Sequence, residues 1–428
     1  METIRIGLMG LGTVGSGVVR ILKDHQDDLA RQTGSAIEIR KVLVQDAAKP
    51  RDVALAPELL TENPEHIVSS PDIDVVVEVM GGVIQTKSLI EKALRNGKHV
   101  VTANKDLMAL HGAELLAVAQ EHGCDIFYEA SVAGGIPIIR ALTESFSSDR
   151  ITRMFGIVNG TTNFILTKMS QEGASYDDVL KEAQALGYAE ADPTSDVEGL
   201  DAARKMAILA TLGFRMNVSL GDVNAKGISG VTREDILYGK RLGYELKLLG
   251  VAESDGESVS VSVQPAMVRK SHPLASVNGV YNAVYVYGEA VGETMFYGPG
   301  AGSLPTATSV VADLVAVVKN LRLKVNGQRL NTAYKVKKLQ SEDRIYGKFF
   351  LLLHVEDKAG VLAQITQVFA KNEVSLESVL QQPNAENPKA EIIIITHDTN
   401  LAGMNNVIRE LAEMDVVDQV KSVYRVVG

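Results

Sequence analysis

The sequence predicts an α/β protein in three parts: an N-terminal parallel sheet, an α+β domain over its strand tips, and a small C-terminal βαββαβ module. Three observations carry this. An apolar strand over residues 4–9 runs directly into Gly10-Leu11-Gly12-Thr13-Val14-Gly15 and then into a helix through Val18, Val19, Ile21 and Leu22. Strand and helix then alternate as far as Glu129, the order of βαβ units whose strands lie parallel. Beyond a polar, irregular stretch over residues 323–346, six segments read strand, helix, strand, strand, helix, strand. The expected boundaries are residues 1–135, 136–322, a linker over 323–347, and 348–428.

The first turn carries chemistry. A GxGxxG run between strand and helix permits a tight turn and lets backbone N–H groups approach a pyrophosphate at the helix N-terminus. Residues 10–15 therefore predict a Rossmann-type dinucleotide site; the alternative is a Gly-rich turn without a ligand. The second strand, residues 37–44, ends without the acidic residue that would hold a ribose 2′-hydroxyl. Gln45 stands at its tip, followed by Asp46, Lys49 and Arg51. Basic residues here can meet a 2′-phosphate, which favours NADP, while Asp46 keeps NAD open. The plainer reading is solvated loop charge.

Further strands over residues 74–80, 99–102 and 125–129 put Gly81-Gly82, Asn104-Lys105 and Glu129 on the rim where ligands of such sheets bind. Lys105 is thus a candidate for catalysis or for holding a substrate carboxylate, against the default of a surface lysine. The loop from Glu129 through Val132, Gly134 and Ile136 to Pro137 offers a carboxylate and the carbonyls of a Gly-rich turn to a hard cation, although spacing alone does not single out a metal.

From residue 138 the pattern changes. Strand-like segments over 153–158 and 284–288 flank helices over 176–186 and 196–212, an α+β arrangement. The polar loop Asn159-Gly-Thr-Thr-Asn163 either lines a pocket or caps a helix. Gly298-Pro-Gly-Ala-Gly302 leads into a helix over 306–319 that is expected to return toward the cofactor side. The stretch from Gly187 to Lys205 concentrates the charge. Ser195 and Glu198 fit a capping box, which starts the helix near Asp196. Asp201 and Lys205 then share a face, with Glu198 on the same stripe and Glu190 in the loop before it. The bland reading is a solvated ion pair contributing a few tenths of a kcal/mol. Gly199, Ala202 and Ala203 suggest instead close packing, in which charges need partners or a ligand. A lysine so placed can give a proton to a carbonyl oxygen.

A chain of 428 residues has room for two or three domains. Its 46% hydrophobic content is spread in runs well short of the roughly 18 apolar residues a membrane helix needs, so no span is predicted. The first residues show no export signal, and the single cysteine, Cys124, excludes an internal disulfide framework. Together these predict a cytoplasmic setting. A formal charge of −10 without a basic run excludes nucleic acid as the main partner.

The ordered motifs are GLGTVG at 10–15, TANKDL at 102–107, EASVAGGIP at 129–137, GIVNGTTNFIL at 156–166, and the stretch 187–205. With them the whole chain resembles homoserine dehydrogenase carrying a C-terminal ACT module. The resemblance implies NAD(P)-dependent interconversion of L-aspartate 4-semialdehyde and L-homoserine, on the route to threonine, methionine and isoleucine. It implies that Lys205 is the proton donor, that Lys105 is a second active-site lysine near substrate and cofactor, and that Glu190 and Asp201 hold the substrate amino group. Leu11, Thr13, Val14, Gly187 and Gly302 become cofactor contacts beside Gly10, Gly12 and Gly15. Glu129, with the backbone of Val132, Gly134 and Ile136, becomes a sodium site. A homodimer or homotetramer and threonine as effector at the ACT module are implied as well. Gln45 stands where NADP-using relatives often carry Arg. The competing class is a non-catalytic amino-acid sensor, which the intact Lys105, Asp201 and Lys205 argue against. A rival enzyme, another semialdehyde or amino-acid dehydrogenase, is set aside by the stretch 187–205.

Overall fold

Strands Glu2–Met9 (β1), Ser35–Leu43 (β2), Leu60–Thr61 (β3), Val75–Glu78 (β4), His99–Thr102 (β5) and Ile126–Phe127 (β6) pair in parallel in the order β3-β2-β1-β4-β5-β6. The computed structural model describes residues 2–327, 333–383 and 389–428; part of the expected linker, 328–332, lies outside them. The strand order reverses between β1 and β4, which puts the switch point beside Gly10 and the loop after Glu78. The central strands are buried on both faces, as parallel strands are: Ile6, Leu8, Val75, Val76, Val77, Val100 and Val101 have no exposed surface. The last strand is shorter than predicted. It ends at Phe127, and Glu129–Ser131 forms a single 3-10 turn, because the Glu129 N–H turns away to the Asp313 carboxylate at 2.7 Å.

Helix Ser303–Leu323 packs on this sheet, where Ala307, Val310, Leu314, Val317 and Val318 join Ile6, Leu8, Val18 and Val77 in one core. It is long and apolar enough to cross a bilayer, but half of it is buried and it serves here as a core helix. Its closest approach is at Gly17 of helix Thr13–Asp24. A Cβ there would lie 2.6 Å from the Ser303 carbonyl oxygen and 2.9 Å from the Ala307 methyl, so only glycine lets the two helices meet. These elements belong to a unit made of residues 1–154, 203–223 and 281–337.

A second unit comprises residues 155–202, 224–280 and 338–428. Tyr244–Ser254 and Val259–Arg269 form an antiparallel hairpin. The end of Val259–Arg269 pairs in parallel with the final strand, Val417–Val427, matching Ala266 with Arg425 and Val268 with Val427. The sheet continues through Tyr346–Glu356 and Lys389–Thr396 to Leu376–Pro383. Within the C-terminal module the strands thus lie in the order fourth, first, third, second, the ferredoxin-like arrangement that the segment order predicts. Helices Val361–Lys371 and Leu401–Ala412 cover one face over a core of Leu351, Leu353, Ile365, Phe369, Ile392 and Leu411. Helix Arg233–Arg241 lies against the other, where the Tyr424 hydroxyl donates to Asp235 at 2.9 Å and the Tyr238 hydroxyl donates to Glu391.

The helix expected over 196–212 is broken. Thr194–Val197 makes one turn without a side-chain cap, Gly199 takes φ +78°, and the long helix runs Leu200–Phe214. Ser195 and Glu198 therefore form no capping box at its start. The cause is a crossing segment: the Ile228 N–H donates to the Val197 carbonyl at 2.8 Å, taking the acceptor that a continuous helix would offer to residue 201. A Cβ at Gly227 would stand 2.2 Å from that same carbonyl oxygen.

Lys247 on the hairpin is 2% exposed, and its ammonium donates to the Val277 carbonyl (2.5 Å), Asn278 Oδ1 (3.0 Å) and Asn163 Oδ1 (3.3 Å). All three acceptors are neutral, and burial pulls its pKa down from 10.5 to about 8. Between these values the unfolded chain binds more protons than the folded one, so this lysine makes stability rise with pH across that window. Urea midpoints followed from neutral pH to about pH 10 should climb less steeply in Lys247→Met than in the native protein; parallel profiles would show that the buried amine does not titrate as described.

Candidate active site

In the first unit, the turn after β1 depends on two glycines and is opened by a third. Gly10 adopts φ +104°, and a Cβ there would meet the Val79 carbonyl oxygen at 2.8 Å; one at Gly15 would lie 2.2 Å from the Gly10 oxygen. Gly12 has nothing within 4 Å of its Cβ position and begins helix Thr13–Asp24 without a side chain capping the first amides. The N-terminus of this helix is therefore left uncapped by side chains, an arrangement in which backbone N–H groups and the helix dipole favour an anion. The Ser303 hydroxyl donates to the Thr13 carbonyl at 2.7 Å, which brings Gly302, at φ +119°, beside this helix start. Past β2, the Arg51 guanidinium donates to the carbonyls of Asp46 (2.5 Å), Lys49 (2.6 Å) and Ala47 (3.3 Å), folding the loop beyond Gln45 on itself.

The rim is built around a buried acid that sequence reasoning missed. Glu78, at the tip of β4, has no exposure and accepts from Thr102 Oγ1 (2.5 Å), Met80 N (2.9 Å) and Gly81 N (3.0 Å). Burial pushes its carboxyl upward, and the Thr102 and backbone hydrogen bonds pull the other way. Next to it Asn104 caps helix Lys105–Glu121 by accepting from Leu107 N (3.0 Å) while its amide donates to the Gly82 carbonyl (2.7 Å). Lys105 opens that helix. Asp106, one residue on, pairs with Arg204 at 2.8 Å, and Arg204 immediately precedes Lys205. One ion pair thus ties together the two helices that carry the lysines. Nothing local in the sequence names the partners of that pair.

The Glu129 loop is buried from Glu129 to Gly134 and at Ile136, with Gly135 half-buried and Pro137 exposed. The Glu129 carboxylate accepts from Ile139 N (2.7 Å) and Arg140 N (2.8 Å), and Ala133 and Gly134 both take positive φ, 55° and 50°. The Gly134 carbonyl accepts from Ser309 Oγ at 2.7 Å. The donors at 129, 132, 134 and 136 are all oxygen, the ligand type a hard cation takes, and the Ile136 carbonyl accepts from Ile138 N at 2.8 Å. Nearby, burial and then the Glu129 charge push the Asp313 carboxyl up to about 7, against the Glu129 amide and the Arg140 guanidinium at 2.9 Å.

In the second unit, Asn159 caps a helix, one of the two readings of its loop, and also binds two carboxylates. Its amide nitrogen donates to Asp196 Oδ1 (2.7 Å) and Asp201 Oδ2 (2.9 Å), and its oxygen accepts from Thr162 N (2.8 Å) to cap helix Gly160–Glu172. Asp201, 5% exposed, stands one turn before Lys205 on helix Leu200–Phe214. Glu190 is exposed in the loop that Gly187 begins with φ +74°. The loop is held by the Thr161 hydroxyl, which donates to the Tyr188 carbonyl at 2.5 Å, and by the edge contact of Phe164 with Tyr188 at 5.1 Å.

A dinucleotide turn at the switch point of a parallel sheet, an α+β domain and a C-terminal ferredoxin-like module are the parts of an NAD(P)-dependent oxidoreductase with an appended domain. Residues 10–129 match the family model of the homoserine dehydrogenase NAD-binding domain, 137–315 that of homoserine dehydrogenase, and 349–415 that of the ACT domain. The chain belongs to the homoserine dehydrogenase family. It is 60% identical over 429 residues to homoserine dehydrogenase of Bacillus subtilis, covering 100% of this chain and 99% of that one. A crystal structure of a homoserine dehydrogenase from Thiobacillus denitrificans superposes with a TM-score of 0.94 at 41% identity, covering 100% and 98%. A hyperthermophilic archaeal homoserine dehydrogenase in complex with NADPH gives a TM-score of 0.62 at 28% identity, over 76% of this chain and 98% of that one.

Asn159→Ala should lower stability by about 1 kcal/mol through the lost cap and raise the KM for the amino-acid substrate. Asn159→Ser, a competent cap that cannot reach both carboxylates, should recover the stability without the KM. Denaturant midpoints beside steady-state kinetics separate the two; a KM that returns together with stability would remove the orienting role.

Proposed function

We propose that this chain interconverts L-aspartate 4-semialdehyde and L-homoserine with Lys205 giving the proton to the carbonyl oxygen, or taking it back in the reverse direction. The observation that carries this assignment is the Asp106–Arg204 ion pair at 2.8 Å, which fastens the helix of Lys105 to the helix of Lys205. Asp201 and Glu190 receive the substrate ammonium, charge against charge. Asn159 keeps Asp201 turned to that task. Lys105, next to the cofactor turn, serves substrate and cofactor together. When bound, the nicotinamide supplies or accepts the hydride at the aldehyde carbon. Holding both reactants in one geometry accounts for much of the acceleration.

The preferred cofactor in this reading is NADP, with NAD accepted. Support comes from the missing acid at Gln45, the basic residues of the following loop and the NADPH of the archaeal relative. The contacts are Gly10, Leu11, Gly12, Thr13, Val14, Gly15, Lys105, Gly187 and Gly302. Glu129 with the carbonyls of Val132, Gly134 and Ile136 holds sodium, a role supported by its all-oxygen donor set. We further assign the enzyme to threonine, methionine and isoleucine synthesis in the cytoplasm, as a homodimer or homotetramer with threonine as ACT effector. Residues 1–135, 136–322 and 348–428 are its functional divisions.

Oxidation of NADPH and of NADH by the purified protein with L-aspartate 4-semialdehyde tests this directly. Lys205→Ala should lower kcat by about 100-fold or more while binding cofactor normally. Reversal of charge in Arg51→Glu should reduce kcat/KM for NADPH by about tenfold more than for NADH. Absence of turnover with either cofactor, from folded protein supplied with sodium and potassium, would overturn the assignment.

A further inference from the structure

Away from that site, three side chains on three elements of the second unit converge. His354 on Tyr346–Glu356 stands opposite Glu391 on Lys389–Thr396, so both side chains leave the sheet on one face. Helix Arg233–Arg241 lies on that face and contributes Glu234. One ligand atom from each of Glu234, His354 and Glu391 lies within 4.8 Å of the other two. The groups are not simply a solvated acidic cluster. Glu391 is 8% exposed, and His354 Nε2 is buried with no hydrogen-bond partner, 3.7 Å from Glu234 Oε2 and beyond hydrogen-bond reach. A ring nitrogen so placed is desolvated without compensation, which native structures avoid unless something else occupies its lone pair. Tyr238, one helical turn after Glu234, donates its hydroxyl to Glu391. Outer hydrogen bonds of that kind orient a ligating carboxylate.

We propose that Glu234, His354 and Glu391 bind a divalent transition metal ion, zinc above others, that fastens the C-terminal module to helix Arg233–Arg241. Imidazole nitrogen and carboxylate oxygen are both zinc ligands, and three protein ligands leave the fourth tetrahedral position to water. Calcium and magnesium prefer shells of oxygen alone, and the imidazole turns the selection toward zinc and its neighbours. Bonds of about 2.0–2.2 Å require the three ligand atoms to draw together by roughly 1 Å, within reach of side-chain rotation for the two half-buried members. The cation offsets the two carboxylates that face the imidazole. On the same face Tyr424 already grips Asp235 and Tyr238 grips Glu391, so the metal adds a further fastening between the module's strands and that helix.

The full-length protein, stripped with chelator and desalted, should take up zinc in a one-to-one ratio by elemental analysis and melt at a higher temperature for it. Cobalt(II) in place of zinc should show the visible d–d bands of a low-coordinate nitrogen and oxygen site. His354→Ala should abolish both signals. Glu234→Gln, at a half-buried position that the fold tolerates, should weaken them, and Tyr238→Phe should cost about tenfold or more in zinc affinity. Failure to retain zinc or to shift the melting temperature would overturn the proposal. So would equal zinc uptake and an unchanged cobalt spectrum in Glu234→Gln, which would place the metal elsewhere.

Discussion

A carboxylate taken out of water must be given hydrogen bonds, and that constraint shapes the ground around both lysines. Glu78, Glu129, Asp201 and Asp313 are each at most 5% exposed. An isolated buried charge costs several kcal/mol, and removing one partner of a satisfied one is strongly destabilising. Glu78 therefore dictates where the backbone goes after β4, because Met80 and Gly81 must turn their amides to it. Glu129 does the same for Ile139 and Arg140, and Asp313 holds Glu129 in turn. Asp201 is answered by the amide of Asn159. The rim keeps its shape because the acids beneath it allow few other conformations.

Packing adds a second, apolar constraint. Helix Ser303–Leu323 lies more than 280 residues after the helix it meets at Gly17, yet the two share one core with β1 and β4. The parallel sheet is complete only when this late helix arrives. Its first residue also donates to Thr13, so the same contact that closes the core positions Gly302 beside the dinucleotide turn. Binding geometry and core packing are here one arrangement.

The parts of the fold legible in the sequence were the local ones. Strand, Gly-rich turn and helix follow one another within some twenty residues at the N-terminus, and the six segments of the C-terminal module carry their own periodicity. The break at Gly199 was not legible, because its cause is Ile228, nearly thirty residues away, which takes the Val197 carbonyl. Glu78 was passed over because the strand was expected to run on to Met80, which hid an acid at its true end; its hydrogen bonds come from Thr102 and the next loop. The lysines stand out by position, at a strand tip and beside Asp201. The salt bridge between Asp106 and Arg204 that relates them has no local signal. Asn159 was legible as a candidate helix cap, and only three dimensions reveal that the same amide also binds Asp196 and Asp201.

The register that joins Ala266 to Arg425 and Val268 to Val427 has a consequence for how the protein is made. Strand Val259–Arg269 is synthesised early and satisfies one edge at once through its hairpin partner. On the other edge Val223–Ala225 also pairs with this strand, while residues 266–268 pair with residues 425–427, far later in the sequence. Until residues 425–427 are in place, residues 266–268 offer unpaired amides and carbonyls to any neighbouring strand. The second unit therefore closes that part of its sheet only when strand Val417–Val427 docks, a long-range step that the hairpin cannot supply by itself.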